Sequence, residues 1–403
     1  MTKRIKLKNL TPKPWGKDFL KGYRVRTVDL DYLKALGLEE KPSDEVLTAL
    51  QEGSALFKKR LESGKLIPQL ELDLREIDIN GDLEIHNYTG SCPTLTYEIN
   101  PVSGCNVGCL YCLVTDGIHE QPMLAYTNYN RFIRGILDNK HTNEHYYYFS
   151  PKTEAFQEST LQTGIAHNIL RAFIDHYEAY PDSRARLFIA SKAGSKHLQY
   201  EHKGDSIIGL LAKLRGRAQF NTSVSIMPAD LRSILEPYGA SIDERLEAVS
   251  LCQDRGILSE SALVQPILLP YLTEENMHEF FSSLQGADII NYKPEFLTLC
   301  MENLAMVGQL LGIHDKAMEL ELYKNYISPD NADHKKQRDR TAPSRKLSRD
   351  GLSRLMEVSS QYGLTTSICY WVRQQLEITE QEIPLVNKNG YQCLGYQTKL
   401  FNN

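Results

Sequence analysis

The run Ser103-Gly104-Cys105-Asn106-Val107-Gly108-Cys109-Leu110-Tyr111-Cys112 is the stretch on which the reading of this chain turns. Its C-x3-C-x2-C spacing offers three thiolates to one metal centre, and no fourth cysteine stands close by to complete the set. Structural zinc takes four N or S ligands, commonly as two close pairs. His119, separated from Cys112 by six residues, is a poorly spaced fourth partner for such a site. A crowded trio suits a [4Fe–4S] cluster better, because that cluster takes a thiolate on each iron it can reach. With only three thiolates, one iron keeps a position for a ligand that is not protein. An open, redox-active iron is a reaction site.

The chain around the motif reads as a large enzyme of the cytoplasm. Its 403 residues suffice for one large domain with additions, or for two domains. Met1 to Leu10 is basic without an apolar core, so no secretory signal is expected, and no apolar run of about 18 residues is present to span a membrane. Eight cysteines, three of them clustered, point to metal chemistry in a reducing compartment and not to a disulfide framework. The 46 basic residues face 51 acidic ones, a net charge of −5. Proteins that grip DNA through its phosphates carry an excess of Lys and Arg, so this balance argues against DNA as the partner.

After the motif, strands and helices alternate. Tyr146-Tyr147-Tyr148-Phe149 and Leu187-Phe188-Ile189-Ala190 are continuous apolar runs, as expected of buried parallel strands. Further candidate strands are Val224 to Ile226, Leu263 to Leu269 and Ile289 to Tyr292. Ser241-Ile242-Asp243-Glu244 is a capping-box pattern that opens a helix ending at Gly256, and Thr273-Glu274-Glu275 opens another through about Leu284. Such alternation predicts a parallel sheet, open or closed into a barrel, with the chemistry at the C-terminal ends of its strands. Ser150, Lys152 and Glu154 follow one predicted strand, Ser191 and Lys192 follow the next, and Ser225 lies in a third.

The cysteine spacing, with an aromatic residue just before the last cysteine, resembles the radical S-adenosylmethionine (SAM) superfamily. Arg186 to Lys192, and the stretch from Ser225-Ile226-Met227-Pro228 through Leu235-Glu236-Pro237 to Asp243–Ala248, are similar to the spore photoproduct lyase group within it. The resemblance covers about residues 95–310. It implies an α/β fold, a partial (β/α)6 barrel of the TIM type, with the cluster loop after a first strand at Thr96 to Asn100. It implies a [4Fe–4S] cluster on Cys105, Cys109 and Cys112, with SAM on the open iron. Reductive cleavage then yields a 5′-deoxyadenosyl radical that takes hydrogen from a substrate, with flavodoxin or ferredoxin as electron donor. By the same resemblance the backbone around Tyr111 meets the adenine, Lys192 and Ser225 hold the methionyl end, and Ser150, Lys152 and Glu154 lie near SAM or substrate. Arg245 is expected to make a structural pairing that fixes its helix.

Two departures bear on the substrate. The photoproduct lyases carry a hydrogen-donating cysteine where this chain has Ser150, and a serine O–H bond is too strong for that task. The tyrosine after their third cluster cysteine is Leu113 here, so Tyr111, the candidate radical-relay residue, lacks its partner. The expected substrate is therefore a small molecule or peptide in a biosynthetic pathway, with nucleic-acid repair or modification as the alternative. Cys92 and Cys252 read as core residues. Cys300, Cys369 and Cys393 are candidates for an auxiliary cluster, and Cys393, in a Gly-flanked C-terminal loop, is the candidate hydrogen donor. The basic run Lys335 to Lys346 is a candidate phosphate contact. The expected organisation is an N-terminal cap over 1–91 with a half-buried strand at Leu70 to Leu74, the core over 92–310, and an extension over 311–403. Within that extension a helix and a strand at Thr365 to Val372 close the far side.

Overall fold

The computed structural model describes residues 3–10, 20, 22–66, 70–77, 97–112, 122–139, 145–327, 341–379 and 382. Cys92, Leu113, His119, Cys393 and the basic stretch from Lys335 to Arg340 lie outside the described residues. The strands in chain order are β1 (Lys3–Lys6), β2 (Glu71–Arg75), β3 (Tyr97–Ile99), β4 (Val102–Ser103), β5 (Met123–Tyr126), β6 (His145–Phe149) and β7 (Ala185–Ser191). Then follow β8 (Glu201–His202), β9 (Asp205–Ser206), β10 (Ala218–Val224), β11 (Ser261–Ile267), β12 (Asn291–Phe296) and β13 (Thr365–Thr366). The helices are α1 (Leu30–Leu36), α2 (Asp44–Glu62), α3 (Tyr129–Asn139), α4 (Glu158–Gln162), α5 (Ile165–Ala179), α6 (Ser195–Leu198) and α7 (Ile207–Lys213). They continue with α8 (Ala229–Leu235), α9 (Ile242–Asp254), α10 (Glu274–Gly286), α11 (Met301–His314), α12 (Lys316–Ile327), α13 (Arg345–Gln361) and α14 (Tyr370–Leu376).

The main sheet runs β3–β6–β7–β10–β11–β12–β13, in strict chain order and parallel throughout. Parallel crossovers are right-handed, so an order without reversal lays every crossover helix on the same face. Accordingly α3 packs on α5, α5 on α7, and α7 on α9, while α10 packs on α13. The strands alternate across that face. Tyr147, Phe149, Leu187, Ile189, Phe220 and Val264 join the apolar core under the helices. Their neighbours turn the other way: Tyr148, Ser223 and Glu295 line a cavity. Glu98 is in register with Tyr148, and Lys293 is two residues from Glu295, so both share that inner face.

The continuous apolar runs expected as strands, Tyr146 to Phe149 and Leu187 to Ala190, fall within β6 and β7. The later strands are more polar: β10 reads Ala-Gln-Phe-Asn-Thr-Ser-Val and β12 carries Lys293, Pro294 and Glu295. The predicted strands at Val224 to Ile226 and Ile289 to Tyr292 are thus displaced, to Ala218–Val224 and Asn291–Phe296. The strand expected over Thr365 to Val372 keeps only Thr365–Thr366 before α14 begins at Tyr370. Both helix starts are as expected: Ser241 and Glu244 form the capping box of α9, which stops before Gly256 (φ 69°), and the Thr273 side chain caps α10.

Two further layers hold the loop after β3. β1, β2, β5 and β4 form a small mixed sheet, and β4 leads directly into the cysteines. A second apolar core joins α2, α11 and α12 to α8 and takes in Leu110 and Tyr111 of the cysteine loop. Residues far apart in sequence therefore support one short segment. Among the described residues, no helix is long and apolar enough to cross a membrane.

Candidate active site

The cysteine loop is pinned on three sides. Gly104 (φ 100°) and Gly108 (φ 69°) make its turns in the left-handed region, where a Cβ would be strained. Leu110 N donates to Leu235 O at 2.8 Å and Tyr238 N to Val107 O at 3.1 Å, tying the loop to the segment after α8. Asn106 is held on the opposite side by Gln157 Oε1 at 2.8 Å and by a short bond from its amide to Glu158. Cys105, Cys109 and Cys112 are half-buried, and all three line the same cavity of about 360 Å³.

The rest of the cavity wall comes from the C-terminal ends of β6, β7, β10, β11 and β12. β3 and β12 are five strand spacings apart, about 24 Å in a flat sheet at ~4.8 Å per step. The loop after β3 and the ends of β6 to β12 nevertheless line one cavity, with polar residues of the sheet facing it. From β6 come Ser150, Lys152, Thr153 and Glu154; from β7, Lys192; from β10, Ser223. Ser150 has φ 55° and is 2% exposed, and its hydroxyl has no hydrogen-bond partner among the described residues. Lys152 Nζ pairs with Glu98 at 2.8 Å. Glu154 accepts from Ser191 Oγ at 2.5 Å, Lys192 N at 2.7 Å and Phe156 N at 3.0 Å.

Behind the cysteines lies a buried charge network. The Tyr111 hydroxyl donates to Glu236 in a short bond, and Glu236 pairs closely with Arg245, both at zero side-chain exposure. Lys192 Nζ approaches Glu236 at 3.5 Å and donates to Ser223 Oγ at 3.1 Å. Burial would raise the Glu236 pKa, but Arg245, Lys192 and the Tyr111 hydroxyl outweigh it and hold the carboxyl at about 2. Arg245 also donates to Ala240 O and Ser223 O, both at 2.8 Å, so it binds α9 to the end of β10.

The donors suit an iron–sulfur cluster. Burial pushes the Cys105 thiol up to about 12 and that of Cys109 well above its ordinary value, so both stay neutral until a metal displaces the proton. Backbone N–H groups of Val107 and Glu154 donate to the Cys105 sulfur, an interaction that tunes cluster thiolates. Among the described residues, no three His, Cys, Asp or Glu side chains converge closely enough for one metal ion. A cluster asks for a different geometry, since each thiolate meets a different iron and the sulfurs stand apart around it.

No family model matches the chain, and no curated protein matches it. The chain is similar to solved structures of spore photoproduct lyase. One, a cysteine-to-alanine variant with a dinucleoside spore photoproduct, is 15% identical, with a TM-score of 0.49, over 83% of this chain and 97% of that one. A second, a cysteine-to-serine variant, is also 15% identical, with a TM-score of 0.44, over 83% of this chain and 94% of the other.

The structure gathers Cys105, Cys109, Cys112, Tyr111, Ser150, Lys152, Glu154 and Lys192 on one cavity. Ser225 is fully buried just beyond β10 and does not line it; Ser223, two residues earlier, does. Cys252 is a core residue of α9. The Cys300 thiol accepts from Asn303 N at the start of α11, and Cys369 stands close enough to Lys293 to raise its pKa further. Glu98, Ser223, Gln265, Lys293 and Glu295 are not among the residues expected at the site, and Glu236 enters there only through the Leu235-Glu236-Pro237 likeness. The one signal available was polar residues spaced two apart within strands, at Gln219-x-Asn221-x-Ser223 and Lys293-x-Glu295.

Proposed function

We propose that the chain is a radical SAM enzyme built on a partial (β/α)6 barrel. The observation that carries this is the convergence of the three C-x3-C-x2-C thiols with Tyr111, Lys192 and Glu154 on one cavity at the C-terminal ends of consecutive parallel strands. Cys105, Cys109 and Cys112 would hold a [4Fe–4S] cluster, and Lys192 with the Ser150–Glu154 loop would hold SAM beside it. When bound, that pair supplies reductive cleavage of SAM and removal of a hydrogen atom from a substrate. Glu236 and Arg245 would hold the cluster loop in place, through the Tyr111 hydroxyl and the end of β10.

For the substrate we propose a small molecule or peptide. The two lysines lining the cavity, Lys152 and Lys192, are both committed to carboxylates, which leaves little for a phosphate chain. Nucleic-acid repair or modification is the second reading, favoured by the motif likeness over 186–192 and 225–248. Of the basic run, Arg345 pairs with Glu377 at 2.6 Å. Anaerobic loading with iron and sulfide, then dithionite and SAM, should yield 5′-deoxyadenosine, and Cys109→Ala should abolish it. Methionine without 5′-deoxyadenosine would overturn the proposal.

A further inference from the structure

A second wall of the cavity is built from β11 and β12. Lys293 and Glu295 point inward from β12, with Nζ and Oε1 3.0 Å apart. The Lys293 side chain is nearly buried, whereas Glu295 is about one-third exposed and lines the cavity. Burial opposes the charge on Lys293, but the neighbouring Glu295 outweighs it and holds the ammonium above its ordinary pKa. The β11–β12 register shifts between Val264 and Ile267, where Pro266 and Pro294 supply no N–H. That irregularity turns Gln265 and Pro266 onto the wall beside Glu295.

The inward polar groups differ in how far they are satisfied. Glu154 already receives three donors, and Lys152 and Lys192 each have a carboxylate. Glu295 receives only the Lys293 ammonium among the described residues, although a carboxylate offers about four acceptor positions. On the same cavity the buried hydroxyls of Ser150 and Thr153 have no partner among the described residues. An unpaired buried hydroxyl is costly unless a ligand answers it.

We propose that this wall is the substrate subsite, and that it takes a small molecule bearing a protonated amine, with Glu295 receiving the ammonium. This rests on the radical SAM reading. Gln265 is available to the ligand's other polar groups, and Phe296 and Leu297 to its carbon skeleton. An anionic ligand would find the inward cations already paired. The open acceptor is itself charged, and a charge-assisted hydrogen bond is roughly twice as strong as a neutral one.

The test uses the anaerobically loaded holoenzyme with SAM, titrated with 1,4-diaminobutane and butylamine against 1,4-butanediol and butanol, binding being followed by ligand-observed NMR. The amines should bind, the alcohols should not, and Glu295→Gln should weaken the amines by about tenfold or more. The double variant Lys293→Met/Glu295→Gln removes both charges, guards against misfolding from an unpaired lysine, and should show the same loss. SAM retention and uncoupled 5′-deoxyadenosine formation should be unchanged in both variants. Equal binding of amines and alcohols would overturn the subsite, as would loss of SAM in Glu295→Gln, which would make Glu295 a cofactor contact. Failure of the radical SAM reading would look different: the unaltered protein would form no 5′-deoxyadenosine.

Discussion

Ser150 holds two costs at one position: a left-handed backbone and a buried hydroxyl with no partner among the described residues. Non-glycine residues in that conformation cost about 1 kcal/mol or more and persist where the surroundings require them, often at sites of function. The backbone is fixed by Ser150 N donating to Ile99 O at 2.8 Å and by Thr153 N donating to Ser150 O at 3.2 Å. Ser150→Gly should therefore raise the stability, by about 0.5–1 kcal/mol in denaturant unfolding. The same change should lower the rate of SAM cleavage, because the hydroxyl no longer meets the ligand. A variant both less stable and fully active would contradict this account of Ser150.

At the scale of elements, the hairpin of β8 and β9 docks on α5 through histidines. His167 Nε2 lies 3.1 Å from Tyr200 O, and the rings of His167 and His202 are 5.4 Å apart. A Cβ on Gly164 would strike the His202 ring, so glycine there permits the docking. Burial lowers the His167 pKa to about 4, with His202 and Arg171 lowering it further and Asp205 opposing. Burial, Lys203 and Arg171 also lower that of His202. Since its folded pKa lies below the ordinary 6.5, His167 contributes stability above pH 6.5 that is lost as pH falls towards 4. Hydrogen-exchange protection factors over residues 200–207, corrected for intrinsic exchange, should fall from pH 7 to pH 5, and should fall less in His167→Gln.

The elements also show what the sequence made legible. Helix caps were plain because Ser241, Glu244 and Thr273 act on backbone a few residues away. Strand limits were not, because an inward Asn221 or Lys293 looks like a break until the folded sheet gives it polar company. The cysteine spacing was local and readable. The Tyr111–Glu236–Arg245 network joins residues 125 positions apart, and only folding shows why that glutamate sits before Pro237.

Across the whole molecule, the cysteine loop rests between two cores. Leu110 and Tyr111 belong to the second, where α2 from the N-terminal region packs on α11. The approach is close at Gly53, where an added Cβ would stand 2.2 Å from Glu302 O. Gly53→Val should force the helices apart, at a cost of about 1–3 kcal/mol. Because that layer backs Tyr111, the variant should also load less iron than the unaltered protein at equal protein concentration. A lowered melting temperature with full iron loading would separate the second core from the site.

Three cysteines would leave one iron of the cluster open for SAM. Electron paramagnetic resonance of the anaerobically loaded, dithionite-reduced protein reads that open position. About four irons per chain are expected, with a cluster signal that changes shape when SAM is added. A signal unchanged by SAM, or zinc in place of iron, would contradict it.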